Sequence, residues 1–394
     1  MQYTERIQKL ESEGAYVVLA KAKELERKGK SIIHLQIGEP DFDTPKNIID
    51  AAIKAMQSGQ THYAPSAGIP EAREAAAEYL SKTRGVKILP EETVIMPGAK
   101  PFIYCGVTAL VNEGDEVIVP NPGYPPYRSV VKFVGGKPVS LRLREENDFR
   151  FKIDDFRSLI TPKTKMIIIN SPGNPTGGIL QMEDLEAIYF EAKKHDLWIL
   201  SDEIYSRMLY GNQKFYSIAS IPGAMERTIC MDGMSKTYAM TGWRLGFAAM
   251  PKKLAEYFFT LAINNFSTTT TFSQWGMIEG LRGPQDAVDK MIAEFTKRRE
   301  VIINGLNAIE GITCKMPLGA FYAFPNITGT GLTSQEFADL MLEDAGVACL
   351  SGTAFGEYGE GYIRFSYANS IENINEALKR ISNVLAQRKA SVAK

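Results

Sequence analysis

The stretch Leu197-Trp198-Ile199-Leu200-Ser201-Asp202-Glu203-Ile204-Tyr205 decides how the chain is read. An apolar run of strand length, 197–201, ends abruptly in carboxylates, and 183–195 just before it carries a helical pattern. Working outward, the same order of apolar strand, punctuated turn and helix recurs from about residue 62. The spacing predicts helices over 70–82 and 100–111, and strands over 93–96, 116–119 and 165–169. A further β-prone run covers 227–232. Such alternation predicts an α/β fold whose main sheet is mostly parallel with helices on both faces. In open sheets of this kind ligands bind at the carboxyl ends of the strands, so the residues just after each apolar run are candidates for function.

Towards the C-terminus the pattern changes. Helices are expected over 252–262, 274–281 and 284–308, with a Thr-rich turn at 267–271. Strand-like runs then appear at 321–324 and 361–367, and helical ones at 334–343 and 372–387. The latter set reads as a smaller α+β unit, with 284–308 as a connecting helix. A large domain is therefore expected over 46–289, and a small C-terminal domain over 290–394 on which an N-terminal arm, 1–45, packs. In that arm 3–28 has partly helical spacing interrupted at Gly14-Ala15-Tyr16. Residues 31–37 read as a strand running into the turn-rich Gly38-Glu39-Pro40-Asp41-Phe42-Asp43-Thr44-Pro45, and a helix is expected at 47–57.

Composition excludes several classes of function. With 394 residues, 44% hydrophobic and 23% charged, and a formal net charge of -1, the chain has a globular profile and no nucleic-acid footprint. There is no run of eighteen apolar residues for a membrane span and no apolar signal segment in 1–13, so a cytoplasmic protein is expected. Cys105, Cys230, Cys314 and Cys349 are far apart, which predicts buried free thiols rather than disulfides or a zinc site. His34, His62 and His195 form no ligand motif, and no metal is expected. No G-x-G-x-x-G is present to support a dinucleotide site.

The candidate chemistry lies in the turns at the strand ends. After 93–96 comes Pro97-Gly98-Ala99-Lys100-Pro101, a glycine turn opening a helix whose free N–H groups suit a phosphate; an ordinary strand-to-helix turn explains it equally well. After 116–119, prolines around Tyr124 hold that ring with little freedom, as a stacking face or a core aromatic. After 165–169, Asn174 is framed by two prolines and two glycines. Asp202 ends the apolar run at 197–201, where a carboxylate needs a cationic partner or water. Arg364, within Tyr362-Ile363-Arg364-Phe365-Ser366-Tyr367, needs a carboxylate, and its planar fork suits one bidentately. Finally Lys236, in Gly233-Met234-Ser235-Lys236 with Gly242-Trp243-Arg244-Leu245-Gly246 just beyond, is expected on a turn at the edge of the sheet. A lone lysine is ordinarily a solvated surface charge; the glycine frame and Arg244 argue for a Schiff-base lysine instead.

Taken in order, Asn174-Pro175-Thr176-Gly177, Ser201-Asp202-Glu203-Ile204-Tyr205, Ser235-Lys236 with Gly242-Trp243-Arg244-Leu245-Gly246, and Tyr362-Ile363-Arg364-Phe365-Ser366 resemble the class I and II aminotransferases of fold type I. Gly38-Glu39-Pro40-Asp41-Phe42 and Tyr63-Ala64-Pro65-Ser66-Ala67-Gly68 resemble the prokaryotic branch that includes aspartate and aromatic aminotransferases. The likeness covers nearly the whole chain.

The resemblance implies a pyridoxal 5′-phosphate enzyme acting on amino acids and 2-oxo acids by a ping-pong route, with 2-oxoglutarate as acceptor. It implies that Lys236 holds the cofactor as a Schiff base, Asp202 pairs with its ring nitrogen, Tyr205 and Asn174 bond its ring oxygen, and Tyr124 stacks on it. Its phosphate would lie among Gly98, Ala99, Lys100, Ser235 and Arg244. Arg364 would clamp the substrate carboxylate with the backbone of Gly38, and Tyr16 would face the side chain. The family is typically homodimeric, with Tyr63 reaching in from a second subunit. Acid-specific members carry small hydroxyl residues where this chain has Gly14, Ala15 and Tyr16, a departure that argues against strict aspartate preference. The alternatives are a carbon–sulfur β-lyase on the same fold, or a regulator that keeps the fold without catalysis.

Overall fold

The computed structural model describes residues 2–392. Twelve strands are assigned among them: β1 (Ile33–His34), β2 (Thr93–Met96), β3 (Glu116–Asn121), β4 (Lys137–Arg142), β5 (Thr164–Asn170), β6 (Trp198–Asp202), β7 (Thr228–Gly233), β8 (Gly246–Ala249), β9 (Tyr322–Ala323), β10 (Val347–Ala348), β11 (Leu350–Ser351) and β12 (Ile363–Ser366). Seven form the main sheet in the order β2-β8-β7-β6-β5-β3-β4, in which only β8 runs against the rest. The α/β expectation therefore holds, with one antiparallel strand inside a parallel sheet.

The inner strands are buried on both faces because apolar residues occupy both phases of the pleat. Val117, Val119, Met166, Ile168, Leu200 and Ile229 pack with Phe102, Ile103 and Phe258. Ile118, Ile167, Ile169 and Ile199, in the other phase, pack with Phe156, Leu185 and Ile188. The helices that cover them have local stops. Pro70–Arg84 starts with proline in its first turn and ends at Gly85, whose φ of +65° is left-handed and suits glycine.

Two smaller sheets complete the chain. β12 lies between β11 and β9, both antiparallel to it, and β1 pairs in parallel with β10. Around them Phe295, Ile302, Leu306, Phe321, Phe365, Ile374 and Ile381 form one core, which also takes in Ile204, Tyr205, Met208 and Tyr210 from just after β6.

Several local expectations need correction. Gly14-Ala15-Tyr16 does not interrupt a helix but begins one, Gly14–Arg27; the break lies before it, where Glu11 is held by Arg128 and Lys132. The strand expected over 31–37 shrinks to β1, since Gln36 turns its carbonyl to Arg364 instead of to a neighbouring strand. Strands β4, β8, β10 and β11 have no counterpart among the expected elements: β4 is a partly exposed edge strand containing Pro138, β8 is the short run Gly246-Phe247-Ala248-Ala249, and β10 and β11 are two residues each. Lys236 is not at a sheet edge, because β7 is an inner strand and the lysine sits on the one-turn helix Met234–Thr237 just beyond it. Among the described residues no helix is long and apolar enough to cross a membrane. All four cysteines are buried free thiols.

Candidate active site

The ends of β2, β3, β5, β6 and β7 each deliver a group to one cleft of about 930 Å³. At the end of β5, Asn170 accepts the Asn174 N–H at 2.8 Å and donates to the Asp202 carbonyl at 3.0 Å. The punctuated loop is thereby tied to the neighbouring strand, and the Asn174 side chain reaches Arg364.

At the end of β6, Asp202 is 4% exposed. Tyr127 Oη donates to its Oδ2 at 2.6 Å and the Ile204 N–H to its Oδ1 at 3.2 Å. Burial pushes its carboxyl up to about 6; these two hydrogen bonds oppose the rise, and the nearby Asp232 and Glu203 add to it. Among the described residues the carboxylate is paired with a phenol and an amide and with no cation, and it lines the cleft.

Beyond β7, half-buried Lys236 donates from Nζ to the carbonyl of Gly38. Burial draws its ammonium down to about 8; Glu39 opposes that, and Arg364, Arg244 and Lys100 reinforce it. An amine with a lowered pKa on a rigid strand end can act as nucleophile and base near neutrality.

Arg364 enters from β12. Its Nη1 donates to Asn174 Oδ1 at 3.0 Å and its Nη2 to the Gln36 carbonyl at 2.5 Å, while Nε has no partner. It is 4% exposed and has no carboxylate within salt-bridge distance among the described residues. Burial pulls its pKa down, which the neighbouring Tyr322 and Tyr205 resist. A buried guanidinium left without an anion is a costly arrangement unless a ligand carboxylate completes it.

The glycine turn after β2 forms the other wall. Gly98 has φ +96°, and a Cβ there would lie 2.4 Å from Arg244 Nη2. Arg244 is itself left-handed at φ 53° and is held by the Thr241 carbonyl at 2.9 Å. Ala99, Lys100 and Ser235 line the same wall.

The structure thus gathers Gly38, Ala99, Lys100, Tyr124, Asn174, Asp202, Tyr205, Ser235, Lys236, Arg244 and Arg364 around one cavity, with Gly98 behind Arg244 and Tyr16 at the rim. Tyr63 does not line it; that ring is 91% exposed. The hydroxyls of Tyr205 and Tyr322 share a hydrogen bond of 2.6 Å.

The model of the family "Aminotransferase class I and II" matches residues 30–381. The chain belongs to this family. The aminotransferase is 45% identical over 363 residues to an aspartate aminotransferase of Pyrococcus abyssi, covering 91% of this chain and 93% of the relative. It is 44% identical to aromatic-amino-acid aminotransferase 2 of Thermococcus litoralis over the same shares. A structure of the Thermus thermophilus aspartate aminotransferase with maleate superposes with a TM-score of 0.94 at 37% identity, covering 98% of this chain and all of that one.

Four groups at the aminotransferase's cleft escape a reading of the sequence. Tyr127 reads as a ring beside a rigid turn, yet it is the main partner of Asp202. Tyr322 stacks under Arg364, and the Gln36 carbonyl anchors it. Glu13, from the arm, pairs with Lys100 and accepts from Tyr124 Oη at 3.3 Å. Nothing in the sequence around Glu13 marks it, and only the fold places it just before the helix start at Gly14.

Proposed function

We propose that the aminotransferase uses pyridoxal 5′-phosphate to move an amino group from an aspartate or aromatic donor to a 2-oxo acid, 2-oxoglutarate being the expected acceptor. The observation that carries this is the pairing, across one cleft, of the anion-seeking Arg364 with the poised amine of Lys236. The donor classes rest on the names of the relatives, and the maleate held by the Thermus protein supports acidic substrates.

The residues suit this cofactor. The orphaned Nε of Arg364, a lysine that among the described residues donates only to the Gly38 carbonyl, and the Gly98 cradle against Arg244 fit a carboxylate, an aldehyde and a phosphate in turn. Bound pyridoxal phosphate supplies an aldehyde and a protonated ring that withdraws electrons from the substrate Cα. Lys236 Nζ would hold it, then carry the proton taken from Cα. Asp202 would keep the ring nitrogen protonated, Tyr124 would cover one face, and Tyr205 and Asn174 would bond the ring oxygen. Gly98, Ala99, Lys100, Ser235 and Arg244 would hold the phosphate. Arg364, with the Gly38 backbone, would orient the α-carboxylate so that the Cα–H bond stands across the ring, and Tyr16 would meet the side chain. Each turnover would run as two half-reactions.

A homodimer in the cytoplasm, with Tyr63 completing the neighbouring site, is part of the same reading, and the exposure of Tyr63 supports it. So is a division into 46–289 as cofactor unit and 1–45 with 290–394 as the smaller unit, supported by their separate sheets. The test is to load the protein with pyridoxal phosphate and add amino acids one at a time. Aspartate or an aromatic donor should bleach the visible band and release its oxo acid stoichiometrically; no spectral change with any donor would defeat the proposal.

A further inference from the structure

Arg84 touches no surface of the cleft, yet it is bound to both strand ends that matter. It ends the helix Pro70–Arg84 and is 3% exposed. Its Nε donates to Glu203 Oε2 at 2.8 Å and its Nη2 to Asp232 Oδ2 at 2.6 Å. Nη1 is taken by Thr83 Oγ1 at 2.8 Å, and the guanidinium carbon lies 5.0 Å from the centre of the Phe215 ring. Glu203 is the residue after Asp202, and Asp232 lies on β7 four residues before Lys236. The Glu203 N–H donates to the Met231 carbonyl at 2.9 Å, so the two carboxylates sit side by side where β6 and β7 stop.

The rest of the cluster is saturated. Glu203 Oε1 accepts from Ser201 Oγ at 2.9 Å and Ser217 Oγ at 2.6 Å. Asp232 accepts from Ser206 Oγ at 2.9 Å and from the Gly233 N–H at 2.7 Å. One cation thus faces two carboxylates in an interior where well-packed apolar side chains would stabilise the fold at least as well. Two properties make the ionic version useful. A planar fork fixes two acceptors at a set separation, which a hydrophobic contact does not. The two carboxylates also bear on Asp202, whose carboxyl they help to raise.

We infer that Arg84 is a positioning residue for transamination: by bridging Glu203 and Asp232 it locks the ends of β6 and β7 together and so sets Asp202 and Lys236 relative to each other. This rests on the cofactor role proposed above. The charged and titratable groups facing Asp202 are Tyr127, Tyr124, Tyr205, Glu203 and Asp232, and those facing Lys236 are Glu39, Arg364, Arg244 and Lys100. Only the Arg84 cluster is altered in the test.

Two variants separate geometry from charge, each read for the pH midpoint of the visible band of bound pyridoxal phosphate, for kcat and KM, and for its urea midpoint. Glu203→Gln removes one buried negative charge while Arg84 keeps Asp232. Glu203 bears on Asp202, which would pair with the cofactor ring, so the spectral midpoint should move by about half a pH unit or more. Arg84→Lys keeps the charge and loses the fork; the midpoint should stay within about 0.2 of wild type while kcat falls about tenfold at nearly constant KM. A merely structural Arg84 would lower the urea midpoint alone. Folded, loaded variants with wild-type kcat and spectral midpoint overturn the inference, and should Arg84→Lys not fold, an unmoved midpoint in Glu203→Gln does so by itself. A wild-type protein with no visible band would instead bring down the cofactor reading, and this inference with it.

Discussion

The Arg364 guanidinium carbon lies 4.5 Å from the centre of the Tyr322 ring. The ring supports one face of the fork, Gln36 and Asn174 hold two of its nitrogens, and Nε is left over. Arg364→Lys retains a charge but loses the fork and the stacked plane. KM for both amino and oxo acid should rise about 10–100-fold, from lost charge-assisted hydrogen bonds, with a smaller change in kcat. Steady-state kinetics with two donors check this, and an unchanged KM would refute the clamp.

Lys236 is neutral above about 8 and protonated below it. Only the neutral amine attacks an aldehyde, so capture of pyridoxal phosphate by the apoprotein should accelerate as pH rises through 8 and level off above it. Stopped-flow absorbance gives the profile. Lys236→Ala should lose about 10²–10⁴-fold or more in turnover while retaining weak, non-covalent cofactor binding.

Asp202 has its carboxyl raised to about 6 against an unfolded value near 3.8. The folded apoprotein therefore binds the proton more tightly than the unfolded chain. The stability this contributes is complete below the unfolded value and is lost as pH rises through 6. Asp202→Asn removes the buried charge, so the variant apoprotein should be more stable than wild type by about 1–2 kcal/mol at about pH 8, and the two should converge near about pH 4. The loaded variant should lose about 10²–10³-fold in kcat, an exchange of activity for stability. Urea unfolding of the two apoproteins at both pH values measures the first effect.

Gly98→Ala places a Cβ within 2.4 Å of Arg244 Nη2, at a backbone φ of +96° that alanine adopts poorly. Arg244 must swing away, and the turn strains. Affinity for pyridoxal phosphate should fall about tenfold or more, while the separately measured affinity for phosphate-free pyridoxal changes little. Equal losses for both ligands would show that the cradle is not specific to the phosphate.

Much of the cleft is legible in the sequence because its groups stand out from their local surroundings. Asp202 ends an apolar run, Arg364 interrupts one, Lys236 lies in a glycine frame, and Asn174 is boxed in by prolines. The sheet is legible for the same reason, since β5 is centred on Met166-Ile167-Ile168-Ile169 and β6 on Trp198-Ile199-Leu200. The hidden part depends on contacts between distant segments. Tyr127 meets Asp202 across 75 residues, and Arg84 meets Asp232 across 148, and neither partner differs locally from an ordinary core tyrosine or a helix-ending arginine. Strand β4 stays hidden because it is partly exposed and contains Pro138, so neither apolar density nor alternation marks it.

The segment that leaves β6 behind Asp202 has a consequence for how the gene can be divided. Ile204, Tyr205, Met208 and Tyr210 issue from the main sheet but are buried in the core built by β9, β12 and the C-terminal helices. A fragment ending near residue 289 would present these side chains to water beside the cleft, and would be prone to aggregate. The chain before residue 289 and the chain after it are therefore not interchangeable modules. A graft of the C-terminal part from a relative must match the 204–210 surface, and recombination points that fall outside both segments should give the soluble chimeras.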